Sequence, residues 1–364
     1  MTPENAVNPY LYSARREKAR ALLAEKKLGA LLVNLDANRY YLSGFELHDP
    51  QTNESCGCLL LMADGKDWLC TDARYEEAAK ALWDEELILI YAGAASAPLR
   101  INRLLRGILR GELGFEAHSL SLAFYEDLSV GLRMKKADGL VESLRIIKDE
   151  TEIALISAST ALNHKLMEWI PGRLSIGKSE KQIAWEVEQF FRGLGAEELS
   201  FKTIAAIDAN AALPHALPGE SRVRENCCVL LDCGCRLRDY CSDQTRTFWV
   251  GGDPPDYFMR ALEQVKEAQR LAIAAIRPGL PCKEVHAAAH DYFDRLGVAG
   301  HFNHGLGHGI GLQTHEAPSL NEKSETILRP GMIVSVEPGL YYPAWGGVRW
   351  EYLALVTEDG CRVL

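Results

Sequence analysis

Residues 228–250 read CVLLDCGCRLRDYCSDQTRTFWV, two apolar runs that each carry a carboxylate, Asp232 and Asp243. Val, Leu, Tyr, Thr, Phe and Trp dominate the runs, and the polar RLRD between them suits a hairpin turn. Opposed residues in an antiparallel hairpin have position numbers of constant sum. A turn centred between Leu237 and Arg238 therefore sets Asp232 opposite Asp243, and a bulge would shift that register by one. Both side chains then share a face with Cβ atoms roughly 5 Å apart, and like charges directly opposed destabilise a sheet. Something positive belongs between them: a shared proton, as in a carboxylate dyad, or a metal cation. The plain alternative is two solvated acids beside a turn.

The stretch GMIVSVEPGLYYPAWGGVRWEYLALV, residues 331–356, repeats the arrangement. Glu337 ends one strand-like run and Glu351 lies inside the next. A connection centred near Ala344 sets the two opposite each other by the same sum rule. Two hairpins each aiming a pair of acids at one face are harder to dismiss than any single acid. Between them, HFNHGLGHGIGLQTHEAP brings four histidines into the fifteen residues 301–315. Gly305, Gly307, Gly309 and Gly311 would each cost a helix about 1 kcal/mol, so His304 and His308 are not an HExxH-type helical zinc site. The segment reads as a glycine-rich loop or strand whose imidazoles can turn inward.

Four carboxylates and a histidine can hold two divalent ions, two of the carboxylates bridging. Oxygen-rich ligation with one imidazole suits manganese, cobalt or iron, and zinc less typically. Ions about 3.5 to 4 Å apart would neutralise the clustered charge and lower the pKa of a bridging water toward neutrality.

Composition bounds the setting. With 364 residues, 47% hydrophobic and 25% charged, the chain is an ordinary globular sequence of two-domain length. A net charge of −10 argues against nucleic acid or anionic membrane as a partner. The first twenty residues, MTPENAVNPYLYSARREKAR, lack a basic segment followed by an apolar one, so no secretory signal is expected. The ten cysteines offer Cys56-x-Cys58 and Cys233-x-Cys235 but no CxxC knuckle, which suits reduced core thiols in a cytoplasmic protein.

Along the chain, ARREKARALLAEKKLG is an amphipathic helix expected to end at Gly29, followed by a buried strand from Ala30 to Leu35. CGCLLLMADGKDWLCTDAR reads as a hairpin turning at Asp64-Gly65. Alternating helices and strands continue, giving an α/β domain over residues 1–145 that lacks a nucleotide-binding glycine motif. After a boundary near Leu144 to Lys148, helices alternate in blocks with strands. SEKQIAWEVEQFFRGLG opens with Ser179 and Gln182 in capping-box positions, and further helices are expected over Asp256 to Ile276 and Cys282 to Leu296. Residues 146–364 thus read as an α+β domain with a largely antiparallel sheet.

The chain resembles the pita-bread metallopeptidases, the group of Xaa-Pro aminopeptidases, Xaa-Pro dipeptidases (prolidases), methionine aminopeptidases and creatinases. DANRYYLSGFE resembles their creatinase-like N-terminal domain and LRIIKDETEI the junction. DCGCRLRDYCSDQTRTF, HGLGHGIGLQTHEAP, SVEPGLY and GVRWEYLALVTEDG, in that order, match the catalytic domain. The resemblance implies a pita-bread fold and metal ligands Asp232, Asp243, His308, Glu337 and Glu351, with Asp243 and Glu351 bridging. It gives Glu337 a proton-shuttling role, places His215 and His315 along the scissile bond and His304 beside a proline pocket, and makes Arg349 an electrostatic support. It implies hydrolysis of Xaa-Pro bonds in small proline-containing peptides by a metal-bridging hydroxide, with manganese favoured, in a cytoplasmic homodimer. Trp350 and Tyr352 depart from the family pattern around Glu351, which puts the pocket or its surroundings in question. Two other functions fit the scaffold: hydrolysis of a small non-peptide amide, and non-catalytic binding.

Overall fold

The computed structural model describes residues 9–49, 54–93 and 96–364. The chain divides into two compact units, one up to Arg145 and one from Ile146 onward. Among the described residues no helix is long and apolar enough to cross a membrane.

The first unit is built on near-continuous apolar runs that can be buried on both faces. Its strands are β1 (Leu28–Val33), β2 (Gly57–Met62), β3 (Trp68–Asp72), β4 (Ile88–Tyr91), β5 (Glu112–Phe115) and β6 (Met134–Lys136). They form one sheet in the order β4-β3-β2-β1-β5-β6. The β1–β2 and β2–β3 pairs are antiparallel and the others parallel. The helices are α1 (Pro9–Lys26), α2 (Asp36–Ser43), α3 (Glu76–Lys80), α4 (Ala97–Ile108), α5 (Leu122–Ser129) and α6 (Glu142–Arg145). Leu32, Leu60, Ile101, Leu105 and Leu113 share one core. Gly29 does not end α1 as its sequence position suggested. Lys27 takes the left-handed conformation at φ 58°, and Gly29 is already in β1, where a Cβ would meet the Arg110 carbonyl oxygen at 1.9 Å. Close backbone approach, not helix termination, requires glycine there.

The second unit pairs all its strands antiparallel. Helices α7 (Glu150–Trp169) and α8 (Glu180–Gly193) each open on a complete capping box, Asp149 with Glu152 and Ser179 with Gln182. Strands β7 (Glu198–Leu199), β8 (Ile204–Ile207), β9 (Cys227–Cys233), β10 (Cys235–Leu237), β11 (Tyr240–Cys241) and β12 (Gln244–Val250) follow. Helices α9 (Asp256–Ala275) and α10 (Cys282–Arg295) precede β13 (Gly307–Gly309), β14 (Glu316–Leu320), β15 (Ile333–Val336), β16 (Gly339–Tyr342), β17 (Gly346–Arg349), β18 (Tyr352–Val356) and β19 (Cys361–Val363). The sheets run β12-β9-β8, β11-β10-β7, β14-β13-β15-β18-β19 and β16-β17. Phe258, Val265 and Ala272 of α9 and Val285 and Phe293 of α10 pack on Val334, Val336 and Val348.

The first hairpin's register differs from the sequence reading. Leu237 pairs with Tyr240 and Asp232 with Thr245, so the turn centres one residue later, on Arg238-Asp239. Both turn residues have positive φ, 51° and 71°, as a type I′ two-residue loop requires. Asp243 therefore lies diagonal to Asp232 rather than opposite it, and sits outside a strand, between β11 and β12. Its position two residues from Thr245 returns it to the same face. In the second hairpin, Val336 pairs with Tyr352 and Gly339 with Arg349. Both pairs keep the sum that sets Glu337 opposite Glu351, in the gap between the two ladders.

Candidate metal centre

Two hairpin residues and one residue of the glycine-rich strand bring their side chains together. One ligand atom each of Asp243, His308 and Glu351 lie within 4.8 Å of one another. His308 sits in β13, its Nδ1 donating to the Gly309 carbonyl (3.0 Å), which leaves Nε2 to face Glu337 Oε1 at 3.3 Å and Asp243 Oδ2 at 3.7 Å. The close approach of β13 to β15 needs Gly307, whose Cβ would meet the Ser335 carbonyl oxygen at 2.0 Å. Ser335 fixes two of these groups at once: its hydroxyl accepts from the His308 N–H (3.0 Å) and donates to Glu337 Oε1 (3.1 Å).

Arg349 holds the other side. Its Nη2 donates to Asp232 Oδ2 (2.6 Å), its Nε to the Thr245 hydroxyl (3.2 Å) and its Nη1 to the Tyr341 hydroxyl (2.8 Å). Thr245 in turn donates to Glu351 Oε2 at 2.8 Å. His304 Nδ1 donates to the Gly305 carbonyl (2.7 Å), so its Nε2 accepts from the Tyr341 hydroxyl (2.8 Å). That chain fixes one neutral tautomer. Gln269 of α9 donates to the carbonyls of Val336 (2.8 Å) and Trp350 (3.0 Å), tying together the residues that precede Glu337 and Glu351.

Burial and mutual repulsion act on the crowded carboxylates. Burial, and then the neighbouring carboxylates, push the Asp243 and Glu351 carboxyls well above the usual range. Burial pushes Glu337 up too, but the His308 imidazole outweighs it and holds the carboxyl down to about 2. His308 is raised to about 9, since Glu337 overcomes the effect of burial. Burial lowers His304 and His315, and His308 lowers His315 further.

Asp232 Oδ1, Asp243 Oδ1 and Glu351 Oε1 are buried with no hydrogen-bond partner. A buried anionic oxygen without a donor is costly. Such oxygens, with Asp243 and Glu351 grouped around His308, fit hard divalent cations, which take oxygen ligands and one imidazole. In front lies a cavity of about 570 Å³, lined by Asp232, Asp243, His308 and Glu337 together with His215, His304, His315 and Arg349. Glu351 lies behind it. His215 and His315 are exposed on loops, and the His315 ring meets His308 edge-on at 4.3 Å.

Trp350 and Tyr352 do not line the cavity. They flank Arg246, whose guanidinium lies 4.3 Å and 4.1 Å from their ring centres while its Nη1 donates to the Thr245 (2.7 Å) and Glu351 (2.6 Å) carbonyls. Through Arg246, Trp350 and Tyr352 thus act on the backbone of Glu351. The sequence does not signal Thr245 or Ser335, since the true partner of Asp232 emerges only with the register. Tyr341 shares the strand parity of Glu337, a signal that counting in twos finds.

Residues 154–358 match the model of Metallopeptidase family M24, and residues 15–147 match the Creatinase/Prolidase N-terminal domain. The chain is 32% identical to a Xaa-Pro dipeptidase of Pyrococcus horikoshii over 351 residues, covering 96% of this chain and 95% of the relative. Its fold is similar to a Xaa-Pro dipeptidase from Bacillus anthracis, with TM-score 0.88, 33% identity and 97% coverage of each chain. It is also similar to an X-Pro aminopeptidase from Thermotoga maritima, with TM-score 0.85, 27% identity and 96% coverage of each.

Proposed function

The chain belongs to Metallopeptidase family M24, carries a creatinase-type N-terminal domain and is a metallopeptidase, a family assignment that implies divalent metal ions; from that premise we propose that it hydrolyses the Xaa-Pro bond at the N-terminus of small peptides. The observation that carries the reading is the clustering of Asp243, His308 and Glu351 beside a peptide-sized cavity, with buried partnerless oxygens on Asp232, Asp243 and Glu351. The similarity to Xaa-Pro dipeptidases and an X-Pro aminopeptidase supports proline after the scissile bond.

Asp232, Asp243, His308, Glu337 and Glu351 would hold two divalent ions, manganese being the best fit to this donor set. Bound ions would supply charge neutralisation and a lowered pKa for water. The chain's own groups do the rest. Glu337, flanked by Ser335 and His308, would take the proton that the nucleophilic water gives up and deliver it to the departing nitrogen. His315 and His215, exposed at the cavity, would donate to the carbonyl oxygen as it gains charge. His304, held neutral by Tyr341 and Gly305, borders the space for the proline ring. Arg349 fixes Asp232 directly and Glu351 through Thr245.

Initial rates on Ala-Pro, Ala-Pro-Ala and Ala-Ala, with manganese and after chelation, test the reading. We expect metal-dependent cleavage of the proline peptides at least tenfold above Ala-Ala. Cleavage of small non-peptide amides with none of the proline peptides would instead favour the amide hydrolase, and no turnover with no retained metal would favour a binding protein.

A further inference from the structure

The cavity contains two side chains of fixed positive charge, and only one has an acid partner. Arg349 is paired with Asp232 at 2.6 Å. Lys202 lines the same cavity, is exposed, and makes no ion pair or hydrogen bond among the described residues. With Arg349 taken up by Asp232 and the carboxylates neutralised by bound ions, the Lys202 ammonium is left to act on an entering substrate.

The backbone that carries Lys202 is pinned on both sides. Upstream, Ser200 donates to the carbonyls of Cys235 (2.8 Å) and Ser242 (2.9 Å), and its own carbonyl accepts from Thr314 at 2.8 Å. Ser242 and Thr314 are the chain neighbours of Asp243 and His315. Downstream, Ile204 of β8 pairs with Asp232 of β9. Thr203 is buried, while Lys202 is exposed and lines the cavity. Lys202 stands at most about 7 Å along the chain from Ile204, which is one strand spacing of about 5 Å from Asp232, with a flexible four-carbon stem to close the gap. The C-terminal carboxylate of a dipeptide lies roughly 4 Å from the scissile carbonyl, and a side-chain carboxylate on the residue after proline reaches roughly 5 to 10 Å from it.

We propose that Lys202 is the counter-ion for a carboxylate on the substrate, borne by the residue after the scissile bond or by the next one. The inference rests on the Xaa-Pro reading and deepens it: the favoured substrates are short peptides with a carboxylate at that distance. It comes either as the free C-terminus of a dipeptide or as the side chain of an acidic residue following proline. A charge-assisted contact made on binding acts mainly through KM.

Three peptides distinguish the sources: Ala-Pro, Ala-Pro amide and Ala-Pro-Glu amide. The manganese-loaded wild type should favour a carboxylate peptide over Ala-Pro amide by about tenfold or more in kcat/KM, mostly through KM, the size of one charge-assisted hydrogen bond. Added salt should shrink the ratio. A preference confined to Ala-Pro identifies the C-terminus as the source, and one confined to Ala-Pro-Glu amide identifies the side chain. Lys202→Ala should bring the ratio near one, Lys202→Glu should invert it, and Lys202→Arg should keep most of it, all at wild-type metal content and melting temperature. Equal use of all three peptides by the wild type, or a ratio that survives Lys202→Glu, overturns the inference and leaves the Xaa-Pro reading standing. Failure to cleave any of the three overturns both.

Discussion

At the scale of single residues, ligands and non-ligands of the proposed centre should separate cleanly. Asp243 is buried with one carboxylate oxygen lacking a donor and its carboxyl pushed well above the usual range by burial and its acidic neighbours. Asp243→Ala should abolish metal retention and turnover, while the metal-free protein melts at the same temperature or higher because a buried repulsion is removed. Metal analysis and a thermal melt on one preparation check both halves. His315 lies seven positions beyond His308, its ring 4.3 Å away, yet the five expected ligands are complete without it. His315→Ala should keep its metal and its fold while kcat falls about 10²-fold and KM moves much less, as expected for a lost oxyanion donor. A packing histidine would instead lower stability and leave kcat per folded molecule intact.

At the scale of elements, the centre depends on strands that approach more closely than side chains allow. A methyl group at Gly307 would meet the Ser335 carbonyl oxygen at 2.0 Å, so Gly307→Ala should push β13 off β15 and carry His308 with it. We expect a loss of about 1–3 kcal/mol in stability and weaker metal retention, read by denaturant unfolding and metal titration. In the first unit, Glu116 accepts from the Asn34 and Leu35 N–H groups (2.7 Å each) and from Asn38 (2.6 Å), and burial pushes its carboxyl up to about 7. A raised folded-state pKa gives stability that is full below the unfolded value of 4.5 and lost as pH rises through about 7. Wild type should therefore lose stability relative to Glu116→Gln across that window, and parallel pH profiles of the two would remove Glu116 as the cause.

The elements also show how far the sequence could be read. The acids stood out because a carboxylate in an apolar run is an exception to burial rules. Helices α8, α9 and α10 were legible from capping and periodicity. The position of Asp243 was not, because turn placement depends on which two residues accept positive φ, and RLRD contains no Asn-Gly or Gly to mark them. The same parity kept Asp243 on the correct face despite the error. Gly29 misled for a related reason: the sequence shows a glycine but not the Arg110 carbonyl that demands it.

At the scale of the whole molecule, the first unit should act through assembly rather than chemistry. We expect a homodimer by light scattering in which residues 1–145 limit peptide length, and a monomer with unchanged length preference would contradict that. The central claim is that the carboxylate cluster is a dinuclear metal centre. Elemental analysis of the purified chain after dialysis against manganese and then metal-free buffer tests it most directly. The account predicts about two divalent ions per wild-type chain and close to none in Glu351→Ala. A wild-type chain that retains no ion, or a Glu351→Ala chain that retains both, would contradict it.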